Sequence, residues 1–569
     1  MKRLLGILVL TAAVLSLATV LLLPPRAIDA VAPDFQLAWP VARGAYHVHS
    51  QRSDGTGTLD EIAAAAAAAG LQFVIVTDHG DGTRDVVPPT YRAGVLCLDG
   101  VEISTDGGHY VALGLAKTPY RLAGHPRDVI EDVRRLGGFG FAAHPGSPKA
   151  ALRWTDWEAP FDGIEWLNAD SEWRDEFWGS LGKVLLTYAV RPSETLAGVL
   201  DRPVEVLQRW DHATRARRVP ALAGADAHAR LSFGPATDPY QDRVIARLPA
   251  YEVSFQAFSN HVVLNGPLTG DAANDAGLVL DAIREGRTFT SVDGLARLGA
   301  FEGKATSGEI TGRPGEYLDI RGPVAVEARI AAPPGTTLAV LRDGIPLYET
   351  AASMLRLDVG EQAGAYRIEA RLPAALARAS VPWILTNPIY VGLRAAHEGS
   401  PTAGAMPSAL ASRSPIATRL WQAEASDGSR SRLSQGVLDD GTPAMEWQFA
   451  LADASHDEQY AAIRFPVEPD FATQQGVQLR VRSDRPRRVW AQVRAPAANG
   501  GERWGMSFYV DQELRQLELR FADFRPIGPV TTATPSLSRV DSLLLVVDTV
   551  HSAQGVGGGL WIPDLWLVK

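Results

Sequence analysis

The hydrophobic pattern changes texture along the chain. From Leu4 to Leu23 it is uncharged and almost wholly apolar, with Lys2 and Arg3 before it and Pro24-Pro25-Arg26 after it. About twenty residues at roughly 1.5 Å each span about 30 Å, the thickness of a bilayer's hydrocarbon core. The run predicts a membrane-spanning helix with a cytoplasmic start and an exported body, periplasmic or at the cell surface. Ala27-Ile28-Asp29-Ala30 also offers a signal-peptide cleavage site. The length of the run favours an uncleaved anchor over residues 1–30.

From Ala42 to about residue 300, short apolar runs alternate with amphipathic ones. Gly44 to Ser50 reads as a strand. Thr58 with Glu61 three residues on has capping-box spacing, and the alanine run to Ala69 continues that helix until Gly70. Leu71 to Val76 is apolar and β-rich throughout, the pattern of a parallel strand buried on both faces. Val95–Ile103, His109–Leu115, Phe139–Ala143, Gly163–Leu167 and Ala221–Ala225 are further strands. Arg127 to Leu136 is a charged amphipathic helix closed by Gly137-Gly138, and a long helical region reaches about Arg218. Strands alternating with helices predict a parallel α/β unit over 31–300.

Beyond about Arg321 the pattern is short strands between turn signals, at Val324–Ile330, Thr337–Arg342, Met354–Val359 and Ala365–Arg371. This predicts a small antiparallel β-sandwich over 301–396. His397 to Pro415 is rich in Gly, Ser, Ala and Pro and reads as a linker. A second all-β unit is expected over 416–569, with its clearest strands at Gln478–Ser483, Arg488–Val493, Gln516–Phe521, Ser542–Val547 and Gly559–Val568.

At 569 residues the chain is too long for one ordinary core. Its net charge of -10 argues against general nucleic-acid binding. Cys97 is the only cysteine, which excludes an intramolecular disulfide and a cysteine-rich zinc site. A metal would have to be held by His, Asp and Glu, a donor set that suits zinc, manganese or iron.

Those residue types gather at strand ends. Alternate side chains of a strand share a face, so His47 and His49 can reach one ion together, and the turn Ser53-Asp54-Gly55 can return Asp54 to it. Thr77-Asp78-His79-Gly80, Gly100-Val101-Glu102, His109, His144-Pro145-Gly146 and Asp226-Ala227-His228 lie at or beside later strands. His47, His49, Asp54, His79, Glu102, His109, His144, Asp226 and His228 are nine donors, more than one tetrahedral zinc takes, so the count points to a cluster of two or three divalent ions. Such ions supply a nucleophilic hydroxide near neutral pH and neutralise phosphoryl charge. Asp78 reads as an acceptor that orients a ligand. Arg52 is placed to meet a substrate phosphate, and Glu165 and Asn168 to line the pocket. His125, His212 and His261 read as surface residues. Trp447, Trp490, Trp504, Trp561 and Trp566 read either as sugar-stacking platforms or, more commonly, as core.

The ordered set H-x-H, S-D-G, T-D-H, G-V-E, G-H-Y-x-x-L-G-L, A-H-P and G-x-D-x-H, from Ala42 to His228, resembles the polymerase-and-histidinol-phosphatase (PHP) domain. Val262 to Leu295 resembles that domain's closing segment. The resemblance implies an α/β distorted (β/α)7 barrel with a trinuclear site. It implies one ion on His47, His49, Glu102 and Asp226, a second shared through Glu102 with His109 and His144, and a third on Asp54, His79 and His228. Many members have histidine where Asp54 stands. The implied activity is a metal-dependent phosphoesterase acting on small phosphate esters or nucleotides. Exported relatives with appended β domains, of the CehA/McbA-like kind, make a carbamate or aryl-ester hydrolase the alternative; a 5′-to-3′ exonuclease is another. Leu517–Phe524 and Leu560–Trp566 resemble galactose-binding-like or carbohydrate-binding jelly rolls, which implies a carbohydrate partner. A surface carbohydrate-binding protein with an inactive barrel is the reading of a different class.

Overall fold

The computed structural model describes residues 2–174, 178–233, 243–374, 380–394, 413–453, 459–467, 469–496 and 501–569. Most of the expected linker, 397–412, lies outside the described residues. The chain forms two compact units. The first comprises Met1–Asp81, Asp85–Ala116 and His125–Glu398, and the second Gly82–Arg84, Lys117–Gly124 and Gly399–Lys569.

The first unit opens with helix α1 (Lys2–Leu22) and contains α2 (Leu59–Ala68), α3 (Pro126–Arg135), α4 (Ala169–Arg174), α5 (Trp178–Tyr188), α6 (Pro192–Ala197), α7 (Val204–Thr214), α8 (Tyr251–Ala257) and α9 (Ala272–Arg284). Its first strands are β1 (Val41–Val48), β2 (Phe73–Val76), β3 (Thr90–Arg92), β4 (Val95–Asp99), β5 (Val101–Thr105), β6 (Gly108–Leu113), β7 (Phe139–Ala142), β8 (Gly163–Asn168) and β9 (Ala221–Gly224). They continue with β10 (Leu231–Phe233), β11 (Arg243–Ala246), β12 (Ser259–Val263) and β13 (Thr288–Ser291). The capping box forms: Glu61 N–H donates to Thr58 Oγ1 at 3.2 Å, and Thr58 N–H donates to the Glu61 carboxylate at 2.8 Å. It closes the first turn of α2, whose Ile62, Ala63 and Ala66 are buried.

The pairings run in a circuit. β1, β2 and β4 are parallel neighbours. β4 passes into β5 across Gly100, and Glu102 bridges to His79. β5, β6 and β7 are antiparallel, and β7, β8 and β9 parallel. Just after β9 the chain returns to β1: Ala225 N–H donates to Tyr46 O at 2.9 Å, and His49 N–H to Ala227 O at 3.0 Å. Inside lie Tyr46, Phe73, Ile75, Leu98, Val111, Phe141 and Leu222, among others. Each such side chain contributes about 1.5–3 kcal/mol on burial.

At its start β1 also pairs antiparallel with β12, β12 with β13, and β13 with Ile384–Thr386. The boundary expected at 300 therefore does not end the sheet: one continuous sheet runs into the segment read as a separate sandwich. All four residues of β13 are buried, so its outer edge needs a hydrogen-bonding partner. That partner lies about a hundred residues downstream, where no local pattern points to it.

A buried ion network ties this later segment to the helices. Glu369, fully buried in the strand Gly364–Arg371, accepts both Nη groups of Arg202 at 2.8 and 2.9 Å and the Arg367 guanidinium at 3.1 Å. Burial opposes its charge, but the Arg202 and Arg367 guanidinium groups hold its carboxyl down at about 2. Removing one partner of a buried pair costs about 3–5 kcal/mol. Glu369→Gln is expected to lower the denaturant midpoint of this unit accordingly; an unchanged midpoint would refute the assignment. Because the folded value is depressed, the stabilisation is present above the ordinary value of 4.5 and is lost as pH falls towards about 2.

The second unit packs two antiparallel sheets. One contains Arg430–Val437, Pro443–Ala450, Gly557–Val568, Gly476–Ser483 and Arg515–Arg520; the other contains Tyr460–Pro466, Ser542–Asp548, Arg487–Ala495 and Glu502–Val510. Trp447, Leu479 and Leu565 from the first sheet and Phe465, Val493, Trp504 and Leu545 from the second are among the side chains of their common core.

Candidate metal centre

β1 does not deliver its two histidines by plain alternation. Its register with β2 shifts between Ala45 and Val48, and His47 takes a left-handed backbone, φ 62°. His144 (φ 32°) and Asp226 (φ 44°) are left-handed too. Each such conformation in a non-glycine residue costs on the order of 1–3 kcal/mol, and such strain clusters where geometry serves function.

All nine predicted donors converge. Glu102 is the hub: its Oε2 lies 3.2 Å from His47 Nε2, His49 Nε2 and His79 Nδ1. Its Oε1 lies 2.7 Å from His109 Nδ1 and 2.8 Å from His144 Nε2. Asp226 Oδ1 is 3.5 Å from His47 Nε2 and 3.4 Å from His49 Nε2. Asp54 is 3.2 Å from His228 Nε2, 3.5 Å from His49 Nδ1 and 3.8 Å from His79 Nε2. Four overlapping sets are each tight enough for one cation: His49, Asp54, His79 and His228; His47, Glu102 and His144; His47, His49 and Asp226; His79, Glu102 and His109.

Several rings have their other nitrogen occupied. His47 Nδ1 meets Glu165 Oε1 at 2.5 Å, His144 Nδ1 meets Leu152 O at 3.1 Å, and His228 Nδ1 meets Asp226 O at 2.8 Å. A carbonyl or carboxylate there takes the ring N–H, so each Nε2 turns a lone pair into the cluster. His47 Nε2, His49 Nε2 and Glu102 Oε2 are buried and make no hydrogen bond, although they face one another. Buried polar atoms left so are costly, and a cation at their centre would satisfy all three.

The electrostatics agree. Burial opposes the charge on Glu102, but His47, His79 and His109 hold its carboxyl well below the usual range; Asp226 is depressed likewise, with His47 its leading partner. Burial also opposes protonation of His49, yet Asp226 and Glu102 carry it up to about 10. Burial lowers His79 despite Glu102 beside it. The cluster favours positive charge at its centre.

The residues expected to line the pocket do other things. Glu165 is buried behind His47 and also accepts His144 N–H at 2.7 Å and Asn168 Nδ2–H at 2.8 Å. A Cβ on Gly224 would come within 2.6 Å of that carboxylate, so only glycine leaves it room. Both side chains are buried, and Glu165 links His47, His144 and Asn168. Arg52 donates to Asp78 at 2.9 Å and to Asp99 at 2.7 Å. Asp78 accepts from Ser50 N–H, Ser50 Oγ and Ser53 Oγ, each at 2.7 Å. Ser53 links it to His49: the Ser53 Oγ is 3.4 Å from His49 Nδ1. His125 caps α3, and His212 is exposed on α7. His261 is not a surface residue: it is buried in β12, stacked on Phe289 at 4.5 Å, and burial pushes it down to about 3. β12 is paired along both edges, which a pattern read along one strand does not reveal. Sequence reasoning also missed Tyr251, whose hydroxyl donates to His49 O at 2.7 Å.

Replacing Glu165 with glutamine keeps the shape but removes the charge that fixes the His47 tautomer. Metal affinity is expected to fall about 10–100-fold, measured by competition with a chelating dye; unchanged affinity would show that Glu165 is only packing.

No family model matches the chain. It is similar to a 3′,5′-nucleoside bisphosphate phosphatase of Chromobacterium violaceum, 32% identical over 121 residues, which cover 19% of this chain and 42% of the relative. The chain thus spans about two fifths of the length of that curated relative. Among solved structures, a two-domain protein of Bacteroides vulgatus containing a predicted PHP-like metal-dependent phosphoesterase is 14% identical, covering 64% of this chain and 99% of its own, at a TM-score of 0.27. A family 11 carbohydrate-binding module of Clostridium thermocellum is 16% identical, covering 28% of this chain and 98% of its own, at a TM-score of 0.24. Superpositions at that level do not establish a shared fold.

Proposed function

We propose that the first unit is a metal-dependent phosphoesterase of the PHP type, acting on small phosphate esters or nucleotides. The observation that carries this reading is the set of three buried, facing and unbonded atoms, His47 Nε2, His49 Nε2 and Glu102 Oε2, inside a shell of six further donors. The similarity to a phosphatase supports the class of reaction. The hydrogen-bonded circuit from β1 to β9 and back supports reading the unit as a distorted (β/α)7 barrel.

Two or three divalent ions fit the donors: His47, His49, Glu102 and Asp226 would hold one, Glu102, His109 and His144 a second, and Asp54, His79 and His228 a third. When bound, such ions acidify water and offset charge on the phosphoryl group. The chain's own residues do the rest. Glu102 spans the donor sets and fixes their spacing. Glu165, the Leu152 carbonyl and the Asp226 carbonyl keep three imidazoles in the ligating tautomer. Asp54, His79, His109 and His228 are partly exposed, on the side a substrate can reach.

Around this centre, α1 is read as an export signal or membrane anchor, and the second unit as a carbohydrate-binding sandwich. Trp447, Trp490 and Trp504 are buried, whereas Trp561 and Trp566 stay partly exposed on the strand Gly557–Val568, where a sugar can stack. Elemental analysis of the purified chain with a panel of phosphate esters, nucleotides and aryl carboxylic esters tests the assignment. Bound divalent metal and turnover of the phosphate esters are expected. Turnover of the carboxylic esters alone would move the chain to the carbamate or aryl-ester alternative, and absence of metal would remove the enzyme.

A further inference from the structure

The stretch after α1 is docked, not a free tether. Arg191 donates to Pro24 O, and Ala27 N–H reaches Glu194 Oε1 at 3.4 Å. Ile28 N–H donates to Leu295 O at 3.1 Å, and Ile28 O accepts from Arg297 N–H at 2.8 Å. Gly299 has no Cβ where one would meet the Val31 carbonyl at 1.9 Å. α1 therefore leaves the body of the first unit at a fixed place.

α5 packs along α1 there. Among the described side chains of α1, only Ala18 and Thr19 are half-covered; the others are exposed. Thr19 lies three residues before the end of α1 at Leu22, about 5 Å along its axis. If α1 spans a bilayer core of about 30 Å, α5 sits at the level where acyl chains meet headgroups. Its composition suits that level. Val184 and Thr187 face inward and are buried, while Leu185 is 76% exposed and Val190, just past the helix, is 56% exposed. Lys183, Arg191 and Arg26 supply positive charge beside them, which complements anionic headgroups.

We propose that α5 and the turn following it form a membrane-interface surface, with Leu185 and Val190 seated at the acyl edge of the bilayer that α1 spans. The proposal rests on reading α1 as an anchor and is independent of the catalytic assignment. A chain of hydrogen bonds links the surface to the end of β1: Tyr188 Oη accepts Ala250 N–H at 3.3 Å, and the next residue, Tyr251, donates to His49 O at 2.7 Å. The catalytic mouth would thus be held at a set height over the lipid.

Cys97 is buried and is the only cysteine, so an introduced cysteine takes a thiol probe selectively. Leu185→Cys, Val190→Cys and, as a control, Met354→Cys (64% exposed in the parent) are labelled with an environment-sensitive fluorophore. The full chain is then reconstituted in phosphatidylethanolamine–phosphatidylglycerol vesicles, with and without lipid spin-labelled near the headgroup end of its chains. Quenching about twofold or more stronger at 185 and 190 than at 354 is expected. Equal quenching in membrane-anchored protein would overturn the α5 proposal and leave the anchor standing. Mature protein released from membranes with α1 removed would overturn both.

Discussion

Glu102→Gln is expected to abolish the proposed phosphate-ester hydrolysis, by about a thousandfold or more, and to strip metal from the protein. Five imidazoles converge on this one carboxylate, at 2.7 to 3.2 Å. An amide keeps the volume but replaces one acceptor oxygen with a donor NH2 that points at ring nitrogens. Two of the four donor sets contain Glu102 and lose it, and each of the other two shares a histidine with one of them. Losing about 4 kcal/mol of charge stabilisation in the transition state corresponds to about three orders of magnitude in rate. Metal content by plasma emission and rate are measured on the same sample, with circular dichroism confirming the fold. A variant that keeps its metal and comes within tenfold of the parent rate would sink the assignment.

Chelation is the second large effect. Removing the proposed ions is expected to end turnover, and adding Mn2+ or Zn2+ to restore it. Stability moves with it, because a ligand bound only to the folded state adds about 4 kcal/mol at a thousandfold excess over its Kd. The affinity depends on pH with a definite sign. In the cation-free protein burial works against the charge on His49, but Asp226 and Glu102 raise it to about 10, so at neutral pH a cation must displace a proton there. Apparent affinity therefore rises with pH, by about tenfold per unit for each proton displaced. The raised His49 also stabilises the cation-free fold fully below the ordinary value of 6.5, and that contribution is lost as pH climbs through about 10. Titration by calorimetry at several pH values checks the slope. A flat or falling profile would mean that the histidines are not the ligands.

Much of this centre was legible because its donors sit on local signals. Strand ends, the Thr58 capping box and the helix-stopping Gly70 each lie within a few residues of the feature they announce. The strands expected at Thr337–Arg342 and Ala365–Arg371 occur at Thr337–Arg342 and Gly364–Arg371 for the same reason. Spatial neighbours were not legible in the same way. Arg52 is beside His49 and Asp54 in sequence, and it pairs with Asp78, just past β2, and Asp99, at the end of β4. His261 has no strand-end motif, yet two flanking strands bury it. Glu165 lies within β8, and His47, His144 and Gly224, from three other stretches of chain, enclose it.

The amino-acid sequence by itself determined many of the elements and the residue types of the nine groups that converge, since periodicity, caps and residue type act over one turn or one pleat; Val95–Ile103, read as one strand, divides at Gly100 into β4 and β5, and the helical region to Arg218 into α4 to α7. Only the tertiary structure decided that β13 pairs with Ile384–Thr386, that His47, His144 and Asp226 adopt left-handed backbones, and which ring nitrogen His47, His144 and His228 turn to the cluster. Those outcomes depend on hydrogen-bond partners tens to hundreds of residues away, and their energies exist only once distant edges have met.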